Sequence, residues 1–272
     1  MNFDNNLIDK DTPIIQLEKS TLTKKEKKLI FGDTKNYSKK SLNHYLNMIY
    51  FYQNHYMYFK EKISMDELLG TYIAKKIGLQ TITYKIARTE HLGIASFNFK
   101  NEKNNYFYTD TLPVMILTYG MSLQNIENLT TLCIDEKNKE NFLNHLFQLF
   151  SLDIYMAQQD RHILNLQFEQ NKITNYFDLA PVYDFSCCAN KFDGVLYNPI
   201  FGLCGTSISL LIKEYPEFYD ILNSTFQINM VELMEQIGKD YQFNQGFAFQ
   251  NMLDFYEIKQ KNQKKYLKTL TK

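Results

Sequence analysis

The chain has no tryptophan, and only 10 glycines, 5 prolines and 4 cysteines among its 272 residues. Cys133, Cys187, Cys188 and Cys204 form no C-x-x-C pair, and no histidine stands at zinc-ligand spacing from them, so the sequence carries no zinc-binding motif. Adjacent Cys187 and Cys188 point in different directions from an extended backbone, so two small buried side chains are expected rather than a disulfide. An excess of one charge is missing too. Thirty Lys plus Arg balance thirty Asp plus Glu, so no global field draws the chain to nucleic acid or anionic lipid. No apolar run reaches the roughly 20 residues of a membrane-spanning helix. The opening MNFDNNLIDKD has neither the basic start nor the apolar core of a signal peptide. A reducing cytoplasm is therefore the expected setting, with delivery as an effector left open.

What is abundant is Tyr and Phe, which supply an aromatic content of 15%. That composition suits an ordered globular protein, and the length is enough for one large domain or two closely packed lobes. No internal repeat is visible.

The hydrophobic period changes along the chain. Pro13-Ile14-Ile15 reads as a loose arm or an edge strand, and Thr23 as the cap of a short helix from Lys24 to Ile30. Residues 19–40 hold eight lysines, a solvated basic face or else a contact for phosphate or an acidic partner. From Leu46 to Lys62 the pattern predicts two strands about a Gln53-Asn54 turn. A helix follows from Ser64, with an apolar stripe of Leu68, Leu69, Tyr72, Ile73 and Ile77, and Gly78 ends it. Alternating segments at 81–88, 93–99 and 106–110 predict that the antiparallel sheet continues, and 114–120 is an apolar strand running into glycine. Beyond it the 3.6-residue period takes over. Residues 138–156 form a nearly all-apolar helix, 195–211 a loop, and 217 onward further helices, with 259–272 a solvated or frayed end. The expected fold class is α+β: a sheet-rich lobe with one helix over 1–118 and a helical lobe over 119–272.

The chemistry is concentrated between Ser151 and Ser186. Asp160 stands five residues before Asn165, two alternating segments follow as a hairpin, and a further carboxylate returns at Asp184. Phosphoryl transfer needs one carboxylate near the attacking hydroxyl and oxygen ligands for Mg²⁺. Asp160 fits the first role, Asn165 and Asp184 the second. Asp178 rivals Asp184 but is read as a strand-end or turn residue.

The run Asp160-Arg161-His162-Ile163-Leu164-Asn165, followed by Leu179-Ala180-Pro181-Val182-Tyr183-Asp184, resembles the kinase core of the HipA-like serine/threonine kinases. A second block resembles it as well: Asp66-Glu67 opening a helix, then Tyr84-Lys85-Ile86-Ala87 and residues 93–99. The resemblance implies a bilobal protein-kinase-like fold, ATP with Mg²⁺, and phosphorylation of Ser or Thr on a protein. Members of this family often act as the toxic half of a toxin and antitoxin pair, so an antitoxin or regulatory partner is implied. A strand lysine oriented by a helix glutamate is expected on the phosphates. Lys60 with Glu67 is the candidate pair, Lys62 the substitute for Lys60, and a capping box from Glu67 back to Ser64 the alternative. Leu117 and Tyr119 would offer backbone groups to adenine, and His162 would hold the loop or approach the phosphate. The chain departs from the kinase pattern in its poverty of glycine around Phe31-Gly32-Asp33-Thr34, so the nucleotide roof is either built from Ser, Thr and Lys side chains or shortened. It also begins too near that loop to hold the N-terminal subdomain of long family members. A phosphoinositide-type lipid kinase, a pseudokinase scaffold and a nucleotidyl-transferring variant remain as alternatives.

Overall fold

The computed structural model describes residues 7–8, 10–19, 21–24, 26–27, 46–99, 106–108, 123–158, 161, 166–185, 188 and 208–270. The chain divides into two compact units. The first comprises Met1–Met65, Ile82–Asn105 and Ile237–Gln250; the second comprises Asp66–Thr81, Tyr106–Gln236 and Asn251–Lys272.

In the first unit the aromatic and β-branched runs form a six-stranded sheet. Its strands are β1 (Ile14–Gln16), β2 (Glu18–Lys19), β3 (Ile49–Tyr52), β4 (His55–Lys60), β5 (Tyr84–Arg88) and β6 (Leu92–Phe97), in the order β1-β5-β6-β4-β3-β2. Every neighbouring pair is antiparallel except β1 with β5, so Ile14 and Ile15 belong to an edge strand. The β3–β4 turn uses Gln53 and Asn54, both at positive φ (46° and 67°). Two left-handed residues are what a two-residue turn needs to match strand twist. The register then fixes the faces. Met57, Phe59 and Ala95 join Leu17 and Ala87 in one buried cluster, while Ile49 packs with Leu22, Tyr56 and Tyr58 in another. Gly93 is required in β6, because an added Cβ would collide with the Lys60 carbonyl of β4. Thr23 and Glu26 cap each other reciprocally: the Thr23 N–H donates to Glu26 Oε2 at 2.7 Å and the Glu26 N–H to Thr23 Oγ1 at 3.3 Å.

The second unit contains α1 (Met65–Lys76, but for its first residue), the strands β7 (Tyr106–Tyr108), β8 (Phe168–Asn171) and β9 (Phe177–Leu179), and the helices α2 (Leu123–Thr130), α3 (Glu136–Met156), α4 (Ile208–Glu214) and α5 (Glu217–Gln227). The helices α6 (Met230–Asp240) and α7 (Phe247–Leu270) have parts in both units. Its core is built on α3, whose Phe142, Leu146, Phe147, Leu149 and Phe150 are all fully buried. Each such side chain stabilises the fold by roughly 1.5–3 kcal/mol. Asp135 caps the start of α3, accepting from the Asn138 N–H at 2.7 Å. The Asn138 side chain then donates to the Phe177 carbonyl and accepts its N–H, at 2.7 and 3.1 Å, fastening β9 to the helix.

Several expectations are corrected. β7 pairs with β8 in a separate three-stranded sheet, β7-β8-β9, instead of extending the first one. Residues 208–211 are helical, not loop, because α4 starts at Ile208. The lysine-rich end is helical to Leu270 and solvated at Lys261, Lys264, Lys265 and Lys268, as expected, but Lys259, Gln260 and Gln263 are buried by contacts inside the second unit. Cys188 is half-buried, its thiol donating to the Phe185 carbonyl at 3.2 Å. The expected apolar strand at 114–120 and the glycine-poor roof around Gly32 lie outside the described residues. No helix among the described residues is long and apolar enough to cross a membrane.

Candidate active site

The site is organised around three consecutive residues, Tyr183, Asp184 and Phe185. Asp184 has a φ of 62°, a left-handed conformation that aspartate tolerates better than most residues. The turn interrupts any extended backbone pairing, so the buried polar groups on either side must find other partners. Side chains supply them. Gln158 Nε2 donates to the Asp184 carbonyl at 2.5 Å and Arg161 Nη1 to the Tyr183 carbonyl at 2.6 Å, while the Phe185 N–H donates to Glu67 Oε2 at 2.9 Å.

Each of these side chains is delivered by a rigid element. Glu67 lies in the first turn of α1 and is fully buried. Three residues on, along the same helix face, Gly70 leaves room for the buried Phe185 ring; an added Cβ would stand within 2.8 Å of three ring carbons. The far end of α1 is closed by Gly78 at φ 91°, with the Leu79 N–H on the Ala74 carbonyl and the Gly78 N–H on that of Lys75. The chain then runs beside the site segment. The Val182 N–H donates to the Gln80 carbonyl at 2.9 Å, and Thr81 Oγ1 donates to the Val182 carbonyl at 2.9 Å. Two stretches of α1 and its exit thus grip the same short run.

Gln158 and Arg161 flank the end of α3. Ala157 ends that helix at φ 54°. Arg161 is anchored back on α3 by Asp153: Nη2 donates to Oδ1 at 2.9 Å and Nε to Oδ2 at 3.0 Å, and both side chains are fully buried. Burial pushes the Asp153 carboxyl up from its ordinary value, and the guanidinium pulls it back. Burial also works against the Arg161 cation, but the Asp153 carboxylate outweighs it and holds the guanidinium charged. The state that stands is the ion pair, since a neutral Asp153 would leave a buried, permanently charged arginine uncompensated. The guanidinium also lies 4.9 Å from the Phe185 ring centroid.

Of the expected site residues, Glu67 and Asp184 are brought to one three-residue knot, separated by the Phe185 amide. Asp178 sits in β9 with its carboxylate 2.8 Å from His145 Nδ1 by both oxygens, and it also accepts the Leu179 N–H. Lys60, in the first unit, is the half-buried last residue of β4, and Lys62 is exposed beyond it. Asp160, His162, Asn165, Leu117 and Tyr119 lie outside the described residues. Among the described residues no three His, Cys, Asp or Glu side chains cluster to hold a metal ion. Asp184, the described member of the expected ligand set, offers the hard carboxylate oxygen that suits Mg²⁺. Arg161, Asp153, Gln158, Gly70 and Phe185 were not singled out as site residues from the sequence. A charge inside the otherwise apolar run of α3 and a glycine inside α1 are the signals that mark two of them.

This mixed α/β fold is HipA-like. The chain aligns with a structure of the Shewanella oneidensis MR-1 toxin–antitoxin system, comprising HipA, HipB and its operator DNA, at a TM-score of 0.52 and 9% identity, over 76% of this chain and 56% of that one. The proinflammatory kinase CtkA of Helicobacter pylori aligns at a TM-score of 0.41 and 16% identity, over 66% of this chain and 64% of its own. The chain therefore spans less than two thirds of the length of either structure. No family model matches the sequence, and none of the curated proteins compared with it does.

Proposed function

We propose that the chain is an ATP- and Mg²⁺-dependent protein serine/threonine kinase of HipA-like type, with a bilobal arrangement over 1–118 and 119–272. The observation that carries this reading is the knot at residues 183–185. It fixes the backbone of Asp184, a member of the expected metal set: Gln158 holds its carbonyl, a buried helix glutamate holds the next amide, and Arg161, inside the Asp160 to Asn165 run, holds the Tyr183 carbonyl before it. Phosphoryl transfer is catalysed by positioning and electrostatics more than by covalent chemistry, and a knot of this kind supplies positioning.

In this reading Asp160 orients the acceptor hydroxyl and takes its proton, with His162 steadying the loop. Asn165 and Asp184 would hold Mg²⁺ through side-chain oxygens, and the ion would supply neutralisation of phosphate charge there. Lys60 steadies the phosphates, and backbone groups at Leu117 and Tyr119 receive adenine. The acceptor is a protein Ser or Thr, and an antitoxin or other regulatory protein is the expected partner.

The test is phosphate transfer from labelled ATP by the wild type and by Asp160→Ala and Asp184→Asn, followed by intact mass. The wild type should label protein, itself or an added acceptor, and both variants should stay folded and fall by at least about 10²-fold. Label on lipid, a nucleotidyl mass increment, or full activity in Asp160→Ala would overturn the proposal. Absence of both Mg-ATP-dependent thermal stabilisation and labelling would make the chain a pseudokinase.

A further inference from the structure

α7 carries a buried polar face that the roles above leave unused. Tyr256, Lys259, Gln260 and Gln263 recur at the spacing of one helix face and are exposed by only 3%, 3%, 8% and 2%. Tyr256 Oη donates to Asp66 Oδ1 at 3.1 Å, and Lys259 Nζ donates to the same oxygen at 3.2 Å. Further along, Gln263 Nε2 donates to the Ile154 and Tyr155 carbonyls in the last turn of α3, at 3.0 and 2.9 Å. α7 therefore holds the start of α1 and the end of α3 together, the two helix ends that deliver Glu67 and Gln158 to the knot.

A lysine this deeply buried is costly without a compensating carboxylate, so Asp66 and Lys259 constrain each other strongly. Asp66 is also the immediate neighbour of Glu67. Successive residues on a helix point about 100° apart, so the first turn of α1 is gripped from two directions, by α7 through Asp66 and by the Phe185 amide through Glu67.

We propose that Tyr256 and Lys259 are positioning residues: acting through Asp66, they set the rotation of α1 that keeps Glu67 on the Phe185 amide and so holds Asp184 in its left-handed conformation. The catalytic consequence rests on the kinase reading; the mechanical part does not. Loosening α7 should free the knot without unfolding the helices around it.

Amide hydrogen exchange of Phe185 and of the α3 interior, read by NMR without nucleotide, separates the two. In Tyr256→Phe/Lys259→Met the Phe185 amide should exchange roughly tenfold faster, as expected for a lost local restraint, while α3 amides stay near wild type. Lys261→Met, which breaks only the exposed pair with Glu257, should change neither. Tyr256→Phe alone keeps the ring and should give a smaller rise, which preserves the test if the double variant does not fold. Unchanged Phe185 exchange in a folded variant overturns the proposal. An equal rise throughout α3 overturns it as well, because the trio would then be an ordinary stability contact. If the wild type transfers phosphate, kcat should fall in the double variant with KM for ATP little changed. A wild type that transfers none sinks the kinase reading and leaves the exchange result to decide this one.

Discussion

Replacing Arg161 with methionine keeps a long unbranched side chain but removes the cation from a fully buried pair. Asp153 then keeps a carboxylate in an apolar interior without its guanidinium, and breaking one side of such a pair costs about 3–5 kcal/mol. Against a total stability of about 5–15 kcal/mol for a folded domain, that is a large share. The loss should depend on pH. Burial already pushes the Asp153 carboxyl up, and without Arg161 nothing pulls it back by the same route. A carboxyl with a raised folded-state value is neutral in both states well below its unfolded value, so the penalty is absent there. It grows as pH rises through the window above about 3.9, the unfolded reference. The gap between variant and wild type in urea unfolding, followed by circular dichroism, should therefore be wide at pH 7 and narrower near pH 4.5. Asp153→Leu/Arg161→Met removes both charges and should recover much of the loss. About 1–3 kcal/mol should remain for the Tyr183 carbonyl, which loses its Arg161 donor. A cost under about 1 kcal/mol at pH 7 would refute the reasoning, as would a double variant no better than the sum of the singles.

Gly70→Ala should destabilise by about 1–3 kcal/mol through overpacking against the Phe185 ring, and Phe185→Leu should recover part of that in thermal melts; additive losses would argue against the contact. Glu67→Ala orphans the buried Phe185 N–H and should cost about 1–3 kcal/mol, whereas Glu67→Gln keeps an acceptor and should cost less, a difference that urea midpoints can read. Tyr241, whose hydroxyl donates to the Tyr84 carbonyl at 2.8 Å, is pushed up to about 12, by burial first and by Asp240 second. Its contribution is intact below pH 10 and is lost as pH rises toward 12. Wild type should therefore lose about 2–3 kcal/mol relative to Tyr241→Phe across that window; parallel alkaline unfolding of the two would contradict it.

Local periodicity made much of the fold readable. The β3–β4 hairpin, α1 with its glycine stop and the long α3 all follow from short-range patterns in Leu46 to Gly78 and in residues 138–156. The assignment of β7 to its own sheet was not readable, because Tyr106 to Tyr108 alternates in the same way whichever strand it pairs with. The burial of Lys259 was hidden for a related reason. A lysine-rich helix reads as solvated until the Asp66 carboxylate, 193 positions away in sequence, is brought beside it.

Glu67 illustrates why the candidate site was only half legible. Ser64-x-x-Glu67 matches a capping box, and a strand lysine upstream suggests a phosphate-orienting pair, both local arguments. The observed acceptor role is non-local: Glu67 receives the Phe185 N–H across 118 positions. Its cause lies in the other partner. Asp184 turns left-handed, the next N–H is buried, and a buried N–H without a strand neighbour requires an acceptor from elsewhere. The Asp-Phe step therefore demands a buried acceptor on whatever element packs over the phenyl ring, and that element must be small where the ring lands. α1 meets both demands within one turn, with Glu67 as the acceptor and Gly70 as the gap. A carboxylate and a glycine three residues apart inside an apolar helix can thus be read jointly, as one complement to a distant Asp-Phe, where each alone reads as a cap or a flaw.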